Sequence, residues 1–272
     1  MSEVDAAPSE RRGLFHLLWG MIVRPRSTLE YLNEHGRRTW WVPALLAVLL
    51  LLLSIVVAAP ITTRQTREAV QASQEQLRER MGTEMSAEQQ AQVEQSMSIA
   101  ASPLITVAFP AVIGVIGRVV GWLVWAGALY LAGMALGGRS TFGQMFRTVV
   151  WTWLPYVLRT LIQAIYILAS GQLIVNPGLS GLVGETRPIA EMVSAPPDLG
   201  QMFLEALLSK VDLYLFWNLA LVAIGVAVVT HLPRRKAVLT MLGVWLLLTA
   251  LGLLPVLVGG LFARQVGMGF GP

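Results

Sequence analysis

The sequence has no cysteine and few charged residues, and each scarcity excludes a class of protein. Without cysteine there can be no disulfide, thiolate nucleophile, iron–sulfur cluster or cysteine-bound zinc. Only 13% of the 272 residues are charged, whereas soluble domains usually carry roughly 25%. A soluble fold of this length would have too little polar surface to cover its core. Water is therefore not the main solvent of this chain.

Motifs for nucleotide binding and nucleophilic catalysis are also missing. There is no Walker loop, dinucleotide fingerprint or nucleophile elbow, and the glycine-rich GLSG at 178–181 lacks the second half of a serine-hydrolase turn. His16, His35 and His231 have no His, Asp or Glu at the spacing of a metal site on one helix. We therefore expect no catalytic residue, no cofactor and no metal.

Long apolar runs take the place of these motifs. Hydrophobic residues make up 55% of the chain, and the mean hydropathy is +0.62. Crossing the hydrocarbon of a bilayer takes about 20 residues of helix. The pattern predicts an all-α fold, a polytopic transmembrane helical bundle of about five spans. The predicted spans are 41–61, 119–137, 148–170, 213–231 and 238–262.

The segments around the predicted spans are more polar or too short to cross. Leu14–Val23 is flanked by arginines and suits a helix lying in the membrane interface. Residues 103–118 fit a re-entrant segment, an interfacial segment or part of one long helix. Outside the membrane domain, 41–262, the sequence predicts a cytoplasmic N-terminal segment with interfacial amphipathic helices at 1–40 and a tail at 263–272. Within that domain it predicts an extracytoplasmic helical arm at 62–102 and a loop at 171–200.

The basic residues beside the spans predict the orientation of the chain. Arginine and lysine in short flanking segments resist translocation, whereas acidic residues matter little. In a five-span arrangement most of these residues fall on the same side, and their places at the ends of apolar runs do not suggest nucleic acid. We expect this side, and the N-terminus, to be cytoplasmic and the C-terminus to be outside. The residues concerned are Arg11, Arg12, Arg24, Arg26, Arg37, Arg38, Arg139, Arg147, Arg234, Arg235 and Lys236.

A few ionisable residues within or beside the spans are the strongest functional lead. An unpaired charge inside a bilayer costs several kcal/mol, so Arg118 and Arg159 need partners. We predict that Asp212 pairs with Arg159, that Arg118 and Asp212 lie near the outer boundary, and that Glu205, Ser209 and Asp212 share one helical face. Such a cluster is either a structural ion pair that fixes helix order or a site for a substrate or lipid headgroup.

Two stretches of the sequence resemble a known family. They are IVRPRSTLEYL (Ile22–Leu32) and Gly121–Leu158, in which two adjacent glycines, a serine, a phenylalanine and a proline follow in order. The pattern resembles the Yip1 domain family and, within it, the bacterial branch. The positions that carry the likeness are Pro25, Gly121, Gly137, Gly138, Ser140, Phe142 and Pro155.

The resemblance implies a five-span protein with its N-terminus in the cytosol, here in a bacterial cytoplasmic (inner) membrane. Eukaryotic members are associated with trafficking and with small prenylated GTPases. Because this sequence lacks their Asp-Leu-x-Gly-Pro element, no GTPase partner is expected. The expected partners are membrane lipids and either another protein or a second copy of the chain.

Three functions remain open from the sequence. The first is a membrane-organising or adaptor component without catalysis. The second is a small transporter or lipid-handling protein, with a polar site between spans two, three and four. The third, an enzyme, would need a cluster of convergent polar groups in one pocket. A cavity beside Arg118, Arg159 and Asp212 would favour the second over the first.

Overall fold

The computed structural model describes residues 13–36, 38–81, 102–183 and 198–268, together with positions 88, 92, 95 and 99. The regular elements among them are helices. We number the α-helices α1 (Leu14–Val23), α2 (Pro25–His35), α3 (Trp41–Met81), α4 (Phe109–Ala135), α5 (Phe142–Thr152), α6 (Leu154–Ser170), α7 (Leu199–Leu208), α8 (Leu213–Thr230) and α9 (Arg234–Met268).

Five helical stretches of the described chain are long and apolar enough to cross a membrane. The predicted all-α fold with about five spans is thereby confirmed. These stretches are Trp41–Ala72, Leu104–Ala135, Phe142–Ser170, Leu213–Thr230 and Arg234–Gly259.

Helix α8 is the centre of the bundle. Half of its most apolar window is buried, against 22% or less in the other four spans. Its apolar residues face all directions, which is typical of a helix enclosed by others. It packs against α2, α5, α6 and α9, and its Leu219, Val222 and Val226 belong to the main core.

The N-terminal helices form a hairpin that packs on α8 and α5. Leu17 of α1 and Leu29 of α2 are buried in one cluster with Trp151 and Leu221. The outer face of α1 remains apolar and exposed, with Phe15 81% exposed. One face of the hairpin therefore packs against the bundle, and the other face of α1 is exposed. The interfacial position of α1 in a bilayer stays a prediction.

Basic residues gather at one end of the bundle, which we call the basic face. Three bonds join the segments there: Arg139 N–H donates to the Thr230 carbonyl (3.1 Å), Lys236 Nζ to the Leu136 carbonyl (3.2 Å) and Gln144 Nε2 to Asn33 Oδ1 (3.1 Å). The face carries Arg24, Arg26, Arg38, Arg139, Arg147, Arg234, Arg235 and Lys236. The predicted Arg11, Arg12 and Arg37 lie outside the described residues.

Helix α3 extends well beyond the span drawn from hydropathy. Helix α3 continues past Pro60 to Met81, so residues 62–81 of the predicted arm belong to it. Arg, Gln, Glu and Ala dominate this continuation, and all four favour helix. Most of the predicted arm after Met81 lies outside the described residues.

Residues 103–118 form part of one long helix. A π-helical turn, Leu104–Ala108, leads directly into α4. Pro110 lies in the first turn of α4, where the missing N–H of proline costs little. The long-helix alternative is therefore the correct one of the three.

The third span consists of two consecutive helices, α5 and α6. Helix α5 begins at Phe142 behind a capping box of Thr141 and Gln144, and it ends at Thr152. Helix α6 begins at Leu154, after the single residue Trp153, and has Pro155 in its first turn. Pro155 has no N–H to continue the helical hydrogen bonds of α5, so the helix is interrupted at Trp153.

The contact between α5 and α8 provides a test of this packing. Gly225 of α8 faces the Thr148 side chain so closely that an added Cβ would overlap Thr148 Cγ2. We predict that Gly225→Ala destabilises the bundle by about 1–3 kcal/mol. Adding Thr148→Ser removes that methyl, keeps the hydroxyl that donates to the Gln144 carbonyl, and should recover most of the loss.

Thermal unfolding in detergent measures this prediction. Gly121→Ala is the matched control, because an added Cβ there meets no atom within 4 Å. It should not lower the midpoint. A Gly225→Ala protein as stable as the parent, or one that Thr148→Ser fails to rescue, would show that the two helices are not packed in this way.

Candidate functional site

Asp212 lies between α7 and α8, and its own carboxylate makes two contacts. Its Oδ1 accepts the Leu215 N–H at 2.8 Å and so caps the N-terminus of α8. Its Oδ2 lies 3.0 Å from Arg159 Nη1. The predicted ion pair is therefore present, and it ties the start of the central helix to α6.

The pair is largely shielded by the bundle. The Arg159 and Asp212 side chains are 21% and 13% exposed. Desolvating two charges is costly, and their attraction repays the cost only where further hydrogen bonds satisfy them. The Leu215 N–H supplies such a bond on the acidic side.

Arg118 contacts an aromatic cluster. Its guanidinium carbon lies 6.0 Å from the ring centroid of Trp153, a distance at which a cation is attracted to the ring face. Trp153 also packs against Trp125 and Tyr156. Arg118 lies near the middle of the helical stretch Leu104–Ala135. Its predicted position near the outer boundary of the membrane stays a prediction.

Tyr156 lies between the Arg159–Asp212 ion pair and the contact of Arg118 with Trp153. Its ring centroid lies 5.0 Å from that of Trp153, and Tyr156 lies near Arg118, Arg159 and Asp212. We call these four residues with Trp153 the intramembrane cluster. Tyr156 was missed from the sequence because a tyrosine in an apolar run is usually a packing residue. Its offset of three positions from Arg159 on one helix was the available signal.

The predicted helical face of Glu205, Ser209 and Asp212 is wrong. Helix α7 ends at Leu208, and Asp212 is in an extended conformation as the cap of the next helix. Glu205 accepts a bond from Gln201 Nε2 (3.1 Å), and the Ser209 hydroxyl donates to the Ala206 carbonyl (2.9 Å). Both residues are therefore engaged within their own helix end.

Asn218 is a buried polar residue that the sequence reasoning missed. Its Nδ2 donates to the Thr152 carbonyl at 2.7 Å. The break at Trp153 frees that carbonyl, and an unpaired carbonyl in this setting would be costly. The signal was a lone asparagine in the apolar α8 together with a proline in the neighbouring span.

Most of the family-like motif positions lie at helix ends or at close contacts between segments. Gly137 has φ +89°, which favours glycine, and a Cβ on Gly138 would lie 2.8 Å from Thr230 Cβ. Ser140 is partly buried, and Phe142 stacks on Phe146 with centroids 6.3 Å apart. Pro25 is the first residue of α2, and Pro155 lies in the first turn of α6. Gly121 has nothing within 4 Å of an added Cβ.

Comparison with known proteins gives one match. A model of the Yip1 domain family matches residues 19–262, which is nearly the whole chain. The chain belongs to the Yip1 domain family. No curated protein and no solved structure shows a significant match to it. The resemblance seen in the sequence is thereby confirmed, and this Yip1-domain chain is a multi-pass membrane protein.

This Yip1-domain chain has a sizeable cavity at its basic face. A crevice of about 590 Å³ opens between α2, α8 and the start of α9. We call it the basic-face crevice. It is lined by Arg26, Ala223, Ile224, Ala227, Val228, Leu232, Pro233, Arg234 and Val238.

A neighbouring crevice of about 410 Å³ shares Arg26 and also touches Glu30 and His231. None of the five residues of the intramembrane cluster lines either crevice. Among the described residues, no three His, Asp or Glu side chains are placed to hold a metal ion together.

The intramembrane ion pair of this Yip1-domain chain can be tested by a double-variant cycle. Asp212→Asn keeps a side-chain oxygen for the α8 cap, since Asn caps helices as well as Asp does, but it leaves Arg159 without its counter-charge. We predict a loss of about 2 kcal/mol, below the roughly 3–5 kcal/mol of a fully buried pair, because both side chains keep some exposure to solvent. Arg159→Met combined with Asp212→Asn removes the stranded charge and should be more stable than Asp212→Asn alone.

Unfolding midpoints in one detergent give the comparison. Glu68→Gln is the control, because Arg64 and Glu68 form an exposed pair that is expected to contribute nothing measurable. If the double variant is as unstable as the sum of its single variants, the two side chains are not coupled, and the ion pair does not hold α8 to α6.

Proposed function

We propose that this Yip1-domain chain is a membrane-organising or adaptor component, not a catalyst. The observation that carries the proposal is how the bundle uses its internal charges. Asp212 caps α8 and pairs with Arg159, and Arg118 lies over Trp153. Groups that both neutralise each other and fix helix order are typical of a structural role.

Partner binding on this proposal uses the outer surface of the bundle. The exposed face of α1 offers large apolar side chains, namely Leu14, Phe15, Trp19, Ile22 and Val23. Contiguous apolar surface of this kind marks contacts with protein or lipid. The expected occupants are membrane lipids and a protein partner or second copy of the chain.

The second candidate is a small transporter or lipid-handling protein. One observation favours it, namely the basic-face crevice with its mostly apolar lining. That crevice lies away from Arg118, Arg159 and Asp212, where the sequence hypothesis put the polar site. A lipid-handling role would therefore use the basic face rather than the intramembrane cluster.

We also propose that the basic face is cytoplasmic, in a bacterial inner membrane. Positive residues are retained on the cytoplasmic side of short loops, and Arg139, Arg147 and Arg234 belong to such segments. Five spans then put the start of α3 inside and the end of α9 outside.

Reconstitution in liposomes tests the non-catalytic, non-transporting role. We expect release of a trapped anionic dye, and translocation of a fluorescent phospholipid across the bilayer, at the rates of protein-free vesicles. A rate above that background which is lost in the Arg159→Met/Asp212→Asn protein, at equal incorporation, would overturn the proposal in favour of transport through the cluster. A raised rate that this variant retains would also overturn it and would favour lipid handling elsewhere on the bundle.

A further inference from the structure

The basic-face crevice combines apolar walls with two arginine side chains. Its inner wall is made by one stripe of α8, including Ala223, Ala227 and Val228. These residues lie within the span Leu213–Thr230, so the wall belongs to the hydrocarbon part of the bundle. Arg26 and Arg234 stand at the other end, beside Pro233. The crevice therefore runs from an apolar interior to a cationic rim.

The rim carries two arginines, of which Arg26 has one acidic partner and Arg234 has none among the described residues. Arg26 Nε donates to Glu30 Oε1 at 2.9 Å, which uses one of the five guanidinium donors. Arg234 makes no ion pair or side-chain hydrogen bond with any described residue. No acidic residue lines this crevice. Two guanidinium groups thus face one opening with most of their donors available.

Arg234 also sits at an electrostatically unfavourable place. It begins α9 and is followed by Arg235 and Lys236, with no acidic residue in the first turn. The N-terminus of a helix carries partial positive charge, so cations there repel the helix dipole. An anion held between Arg26 and Arg234 would relieve this repulsion.

We propose that the basic-face crevice binds one anionic phospholipid from the adjacent leaflet. Its phosphate lies between Arg26 and Arg234, and an acyl chain lies along Ala223, Ala227 and Val228. A membrane lipid is the ligand that offers both an anion and a long apolar chain at the correct depth. The inference deepens the proposed membrane-organising role, on which it rests, by naming the class of lipid that the bundle holds.

The site would also affect the N-terminal hairpin. Arg26 belongs to α2, whereas the other lining residues belong to α8, α9 and the turn between them. A bound lipid therefore bridges the hairpin to the central helix. This gives the membrane composition a direct influence on how firmly α1 and α2 are docked.

Native mass spectrometry of the purified full chain tests the proposal. The probe is an equimolar mixture of phosphatidylglycerol and phosphatidylcholine of the same chain length in detergent. We expect the parent protein to retain one phosphatidylglycerol in preference to phosphatidylcholine. Arg26→Gln with Arg234→Gln should weaken that retention about thirtyfold, because each of the two basic residues contributes roughly 1 kcal/mol to binding an anionic lipid surface.

Arg24→Gln with Arg235→Gln is the matched control. It removes the same charge from neighbouring exposed positions that do not line the crevice. It should weaken retention clearly less, because an exposed charge that does not contact the phosphate is screened by salt. Ala227→Phe fills the apolar part and keeps both arginines, so it should also lower retention. Unfolding midpoints verify that each variant is folded.

Three outcomes would overturn the proposal. They are equal retention of the two lipids by the parent protein, equal losses in the two double variants, and full displacement of phosphatidylglycerol by inorganic phosphate. The last would indicate a free-phosphate site. None of them depends on the rates measured in liposomes, so this inference and the proposed function can fail separately.

Discussion

The low polarity of hydrocarbon is the constraint on which the rest of this structure depends. A charge or an unpaired backbone group costs several kcal/mol there, and the chain meets that cost in two ways. Basic residues from the ends of several spans lie together at one end of the bundle, on the basic face. The few charges inside are matched locally, as Asp212 is by Arg159 and by the Leu215 N–H.

The same constraint explains why α8 is central. It is the shortest of the five candidate spans and the most buried, and it provides the partners that its neighbours lack. Asn218 bonds the carbonyl freed by the break at Trp153. Thr230 at its end accepts the Arg139 N–H and contacts Gly138. Several of the family-like glycine and proline positions thus lie where a neighbouring segment packs closely against α8 or bonds to it.

Hydropathy along the chain predicted the five spans and their odd number, and the cost of an unpaired charge in a bilayer predicted the Arg159–Asp212 pair. The exact bounds of the helices and the contacts of uncharged residues depend on neighbours in space and were not predicted. The extent of α3 beyond Pro60 follows from helix-forming residues rather than from apolar ones. The single face proposed for Glu205, Ser209 and Asp212 failed because Asp212 caps a new helix. Asn218 acquires its role from a residue on another helix, and Tyr156 acquires its role from Arg118 and Asp212 as well as from Arg159 on its own helix.

The side of the membrane on which the basic face lies can be measured by cysteine labelling. The chain has no cysteine, so single substitutions can be labelled cleanly with a membrane-impermeant maleimide. Gly143 lies exposed on the basic face, and Gln172 is exposed beyond the far end of α6. In intact cells the account predicts labelling of Gln172→Cys, and labelling of Gly143→Cys only after permeabilisation. Labelling of both from the same side, or in the reverse pattern, would contradict it.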